Sequence, residues 1–278
     1  MLNLLCAILS SALVSILMRL SSTRIKENVS MLAMNYVMCL IVSALQTGVT
    51  NLFPAHQGTN AALGMGVFNG VLYLGSFVLL QLNVKRNGVV LSSIFMKLGL
   101  MVPMVLSIFL FGEIPTLVQG IGFAVAVAAI ILINMDSGKS ATPFKVGLIL
   151  LLVAGGLGDA MSKVFEQYGA QELSGQFLFY TFGMALVLCT VLMLVRGEKP
   201  GWREAVFGAL IGIPNFFSAK FLLAALGSIP AVIVYPTFSV GTILVVTLAG
   251  IALFREKLNL RQWIASGIIL VSLVLLNI

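Results

Sequence analysis

The chain has 278 residues, of which 60% are hydrophobic and only 9% charged, against roughly 45–50% and 25% in soluble domains. A water-soluble fold could not cover that much apolar surface, so the composition excludes an ordinary soluble enzyme or binding module. The net charge of +7 does not indicate nucleic acid, because the Lys and Arg residues stand at the ends of apolar runs, where they act as topology signals and headgroup contacts.

In chain order, apolar runs of spanning length predict helices over 2–20, 29–50, 61–82, 88–110, 115–134, 144–164, 174–195, 204–226, 229–252 and 259–277. Polar breaks separate them, among them Arg24-Ile25-Lys26-Glu27, Pro54-Ala55-His56-Gln57-Gly58, Lys85-Arg86-Asn87-Gly88, Asp136-Ser137-Gly138-Lys139 and Arg196-Gly197-Glu198-Lys199-Pro200. No stretch is left over for a soluble domain. Met1 opens almost directly into the first run with no basic segment before it, so that run reads as a retained helix rather than a cleaved signal. Cys6, Cys39 and Cys189 lie inside apolar runs without CxxC spacing and read as small buried hydrophobes. The fold class expected is all-α integral membrane, with ten transmembrane helices.

An internal repeat organises these helices. Phe111, Glu113, Leu117, Gln119 and Ile121 recur as Phe254, Glu256, Leu260, Gln262 and Ile264, and the register holds to Asn134 and Asn277. Upstream, Gly66, Gly70 and Ser76 match Gly208, Gly212 and Ser218, and the first helix of each half closes on Leu17-Met18-Arg19 or Met161-Ser162-Lys163. The expected organisation is therefore two five-helix repeats, residues 1–137 and 138–278. Five is odd, so the second copy is threaded upside down. Such inverted repeats suit a secondary transporter, because two similar halves give two related conformations, each open to one side, around a midplane site. Of the 16 basic residues, all but Lys97, Lys163 and Lys220 fall in odd-numbered connections, which places those connections in the cytoplasm and both termini outside.

These residues resemble a known family. The ten helices in two repeats, the Phe-x-Glu after the fourth helix of each half and the basic residue closing each first helix look like the drug/metabolite transporter superfamily, specifically its EamA-like branch. The resemblance covers essentially the whole chain. It implies a ten-helix, basket-shaped carrier with a central cavity lined mainly by helices 1, 3, 4, 6, 8 and 9, working by alternating access. The chain departs from the pattern in having Arg255 before Glu256 where the first half has Gly112 before Glu113, and in a charge distribution opposite to the cytoplasmic termini often drawn for members. Small four-helix drug exporters of the superfamily carry a first-helix glutamate that exchanges protons for cationic drugs. Ser11 and Gly155 occupy that position here, so this chemistry does not carry over.

Ionisable side chains inside apolar helices cost at least about 2.5–3.5 kcal/mol on insertion scales and need a reason. Lys97, nine residues into helix 4, stands roughly 14 Å deep; it either meets a substrate carboxylate or phosphate, pairs with Asp159, or faces a wet cavity. Lys220 in helix 8 meets substrate or snorkels to the interface. Asp159 in helix 6 is a proton or ion-coupling candidate or the ion-pair partner of a lysine. Uncharged polar residues share faces at helical spacing: Asn69, Tyr73 and Ser76 on helix 3, Ser93 with Lys97 on helix 4, and Tyr235, Ser239 and Thr242 on helix 9. Asn215 on helix 8 aligns with Tyr73 through the repeat. These are candidate substrate contacts, against the alternative that Ser, Thr and Asn bind helices to one another. Glu113 and Glu256, at helix ends, are expected to hold loops.

One histidine, His56, lies in a loop, and the sequence has no HExxH, Walker or Ser–His arrangement, which argues against an enzyme and against a metal or other cofactor. The expected function is a secondary transporter of a small polar organic metabolite, amino-acid-like or anionic, with an exporter of cationic or amphipathic drugs as the alternative. Carriage of lipid-linked intermediates and a sensor or subunit role stay open. Its partners are the small-molecule substrate, the lipid bilayer and a coupling proton or sodium ion, with no nucleic acid. The expected location is the cell (inner) membrane, multi-pass.

Overall fold

The computed structural model describes residues 1–22, 24–87, 92, 95–96, 98–99, 101–134, 145–254 and 260–278. Ten α-helices run through them: α1 (Leu2–Ser22), α2 (Asn28–Thr47), α3 (Thr59–Asn87), α4 (Met101–Phe111), α5 (Leu117–Asn134), α6 (Lys145–Tyr168), α7 (Ser174–Arg196), α8 (Trp202–Leu226), α9 (Ala231–Phe254) and α10 (Leu260–Leu276). Two single 3-10 turns, Val49–Asn51 and Gln171–Leu173, complete the secondary structure, and there is no strand among the described residues. Seven helices are long and apolar enough to cross a membrane, whereas the described parts of α4, α5 and α10 are shorter. Much of the predicted fourth helix, with Ser93 and Lys97, lies outside the described residues.

Helix α3 runs past the predicted end through Lys85 and Arg86 to Asn87. Residues 83–87 contain no glycine or proline to stop it, and two cations in its last turn complement the negative end of the helix dipole. Helix α7 stops where Gly197 takes a left-handed φ of 68°, which lets its N–H reach Leu194 O and the next N–H reach Met193 O, satisfying the last carbonyls. Gly112, with φ of 66°, turns the chain at the end of α4 so that Glu113 can serve a different helix.

The helices show the apolar pattern of lipid-facing elements. On α1 the large side chains Leu5, Leu9 and Leu13 are exposed at four-residue spacing, while Leu4, Ala7, Ile8 and Ala12 are buried. Leucines outward and small residues inward invert the soluble arrangement, because lipid solvates leucine and close helix packing requires small side chains.

By packing, the chain divides into two compact units, Met1–Leu74 with Met161–Gly227 and Gly75–Ala160 with Ser228–Ile278. Each unit draws helices from both halves of the chain. In the first, α8 packs on α1 and α2, and α2 also packs on α7. Glycines set these distances. A Cβ at Gly208 would stand 2.5 Å from Met34 Cβ, and one at Gly212 2.5 Å from Asn35 O. Likewise a Cβ at Gly66 would stand 2.7 Å from Tyr180 Cβ, and one at Gly70 2.6 Å from Thr181 O. The repeated small-xxx-small pair therefore docks α3 on α7 and α8 on α2, each against a helix from the opposite half.

In the second unit, α5 and α10 pair around Ala126, Ala129, Ile269 and Leu276, and Val240 of α9 joins them. Gly122 admits the backbone of Leu275 and Leu276. Asn83 near the end of α3 donates to Gly147 O of α6 at 2.9 Å, fixing the first turns of α6.

Candidate functional site

On α3 of the first unit, Asn69 is 1% exposed, and its Oδ1 is buried without a hydrogen-bond partner among the described residues. In a membrane protein an unsatisfied buried carbonyl costs about 1–3 kcal/mol. One turn on, half-buried Tyr73 lies with its ring centroid 6.3 Å from that of Phe182 on α7. Phe182 is fully buried and also meets Tyr36 of α2 at 6.4 Å and Phe216 of α8 at 6.2 Å. Four helices thus converge on one aromatic ring, with the amide of Asn69 one turn from it along α3. Ser76, the third member of this face, is buried.

The polar residues of α8 are turned to α2. Asn215 Nδ2 donates to Asn35 Oδ1 at 3.2 Å and reaches Cys39 Sγ at 3.6 Å, while the Cys39 thiol donates to Gly212 O at 3.2 Å. Lys220 Nζ donates to Gln46 Oε1. These side chains tie α8 to α2 along most of its length, a role invisible to periodicity.

Asp159 of α6 belongs to the second unit and is exposed. The lipid-type stripe of α6 is Val146, Ile149, Leu150 and Val153, all exposed at helical spacing. At about 100° per residue Asp159 stands roughly 130° round the helix from the centre of that stripe, outside it. A carboxylate at this depth of an apolar helix would carry a large desolvation cost in hydrocarbon. Tyr235, 2% exposed, donates its hydroxyl to Asp159 O at 2.8 Å and holds this turn of α6 against α9. Ser239, one turn further along α9, is half-buried.

Three further constellations are revealed by the structure. Lys163 and Glu166 form an ion pair of 2.7 Å with side chains 7% and 14% exposed. Its i, i+3 spacing was legible in the sequence. Glu113 Oε2 accepts from the N–H groups of Ala231 and Val232 at 2.6 and 3.3 Å, capping α9 from a residue 118 positions earlier. Glu198 and Glu204 act similarly at the start of α2: Glu198 Oε2 accepts from Ser30 N–H at 3.1 Å and Glu204 Oε1 from Lys26 N–H at 3.0 Å. Among the described residues no three His, Cys, Asp or Glu side chains are grouped to hold a metal ion.

Seven helices long and apolar enough to cross a membrane define the class as a multi-pass membrane protein. A profile of the EamA-like transporter family matches residues 1–135 and 146–278. The chain belongs to the EamA-like transporter family, with its two-repeat architecture, and is a membrane transporter of the drug/metabolite type. An uncharacterised protein of Haemophilus influenzae is 25% identical over 276 residues, spanning 94% of this chain and 92% of that one. A solved crystal structure superposes with a TM-score of 0.76 at 15% identity, covering 99% of this chain and 94% of the other, a likeness of fold alone.

Proposed function

We propose that the protein is a secondary transporter of a small polar organic metabolite, amino-acid-like in carrying both a cationic and an anionic group, in the cell (inner) membrane. The observation that carries the substrate class is Asp159, accessible on α6 outside its lipid-facing stripe and held there by the Tyr235 hydroxyl. Asp159 would meet an ammonium or a coupling proton or sodium ion, and Lys97 a carboxylate. Within the second unit Ser93 and Ser239 would supply neutral contacts; in the first unit Asn69, Tyr73, Asn215 and Lys220 are separate candidate solute contacts.

In this reading all ten helices span the membrane and the repeats 1–137 and 138–278 are inverted. What supports this is the crosswise use of one glycine pair, α3 docking on α7 and α8 docking on α2. Two repeats that each hold a helix of the other can exchange conformations and open alternately to either side. An exporter of cationic or amphipathic drugs draws on the same accessible carboxylate.

Reconstituted protein loaded with candidate solutes separates the two. Lys97→Ala is expected to lower uptake of zwitterionic and anionic solutes at least tenfold, and Asp159→Asn to abolish uptake of those carrying an ammonium. Unchanged transport of every such solute by Lys97→Ala would refute the metabolite reading, and retained export of cations by that variant would favour the drug reading.

A further inference from the structure

The connections α1–α2 and α7–α8 lie against each other in the first unit, joined by Glu204 on Lys26 N–H, Glu198 on Ser30 N–H and Arg203 Nη1 on Arg24 O. Together they hold three carboxylates, Glu27, Glu198 and Glu204. Glu204 is 7% exposed, packed over Gly201, where a Cβ would stand 2.5 Å from its Oε2. Glu198 and Glu27 are half-buried. The acids are thus drawn inward, Glu198 consumed as the acceptor for one of the first N–H groups of α2 and Glu204 as the acceptor for the N–H of Lys26 just before that helix. Arg24, Lys26, Lys199 and Arg203 are all exposed, and Trp202, at the first position of α8, is 73% exposed beside them.

Folding has therefore sorted the charges, carboxylates under the surface and cations above it, at the ends of four membrane helices. An exposed indole at such a level is the usual anchor in the headgroup layer. We propose that this face binds the phosphodiester headgroup of an anionic membrane lipid, with Lys199, Arg203 and Arg24 as the cationic contacts and Trp202 seated at the boundary between headgroups and acyl chains. A guanidinium pair offers planar donors to phosphate oxygens, and the inward-turned glutamates remove the repulsion that carboxylates in these connections would otherwise exert. Because Glu198 holds the first turn of α2 and Glu204 the residue that leads into it, a headgroup bound here rests on the same backbone that starts that helix.

The test uses the full chain in mixed vesicles with Trp263→Phe, which leaves Trp202 as the sole indole. Its fluorescence is quenched by brominated phosphatidylglycerol or by brominated phosphatidylcholine at equal mole fraction. The anionic lipid is expected to be enriched around Trp202 on the order of fivefold or more over the zwitterionic one, with the preference shrinking as ionic strength rises. Arg24→Ala/Lys199→Ala/Arg203→Ala should bring the two lipids to parity, and Lys199→Gln/Arg203→Gln should do so in part if the triple variant does not fold. Lys85→Ala/Arg86→Ala, removing charge at the end of α3, should leave the preference intact. Equal quenching by both lipids in the parent protein, an unchanged preference in the substituted proteins, or loss of the preference to inorganic phosphate at matched ionic strength would overturn the proposal.

Discussion

The α2–α8 and α3–α7 seams use the same device and finish it differently. Both bring backbones together through a glycine pair. The α2–α8 seam is then laced from end to end by polar bonds, Glu204 to Lys26, Asn215 to Asn35 and Cys39, and Lys220 to Gln46. Along the α3–α7 seam the contact is aromatic, Tyr73 on Phe182, and the buried carbonyl of Asn69 has no partner among the described residues. Equivalent helices of a duplicated fold have thus diverged into a clamp and a seam carrying an unmet polar group. In the alternating-access reading proposed above, the first would persist through the cycle and the second would gain polar partners when solute binds or the helices part.

The largest effect expected on stability comes from the charge pair of α6. Lys163→Ala would leave Glu166 buried and unpaired, costing about 3–5 kcal/mol, read as a large fall in Tm of purified protein. The double variant Lys163→Ala/Glu166→Ala should recover most of it. A smaller pair of effects, unequal in size, distinguishes the two seams. Asn215→Ala removes the donor held by Asn35 and should cost about 1–3 kcal/mol. Asn69→Leu replaces an amide whose carbonyl oxygen has no partner among the described residues by an apolar side chain of similar size and should cost less than Asn215→Ala, while lowering transport. If both substitutions destabilised equally, the distinction between clamp and unmet seam would fail.

Much of this fold was legible in the sequence because a bilayer imposes its demands locally. Every backbone group must be satisfied within its own helix, so hydropathy and length placed nine of the helix starts within a few residues of those observed, and most of the ends as well; only α4, whose opening turns fall among undescribed residues, is left out. The glycine pairs were legible as packing devices, but not their partners, since small-xxx-small spacing says that a helix is approached closely and not by which neighbour. The inward-turned acids were less legible still. Glu113, Glu198 and Glu204 cap backbones 118, 168 and 178 positions away, and no local pattern encodes such distances. The site shows the same limit: periodicity grouped Asn69 with Tyr73 and put Asn215 on a polar face, yet whether an amide faces solute or a neighbouring helix depends on tertiary packing. Asp159 stood out as an acid inside a helix, and it took the lipid stripe of α6 to show which way it points.

The central claim is solute transport through a site containing Asp159, and solute counterflow tests it most directly. Purified protein is screened by thermal shift against metabolites, and each stabilising compound is trapped inside proteoliposomes while uptake of its labelled form is followed. The account predicts a transient overshoot for an amino-acid-like solute that disappears in Asp159→Asn without loss of the folded protein. Stabilisation by organic cations alone, or an overshoot that Asp159→Asn leaves untouched, would contradict it.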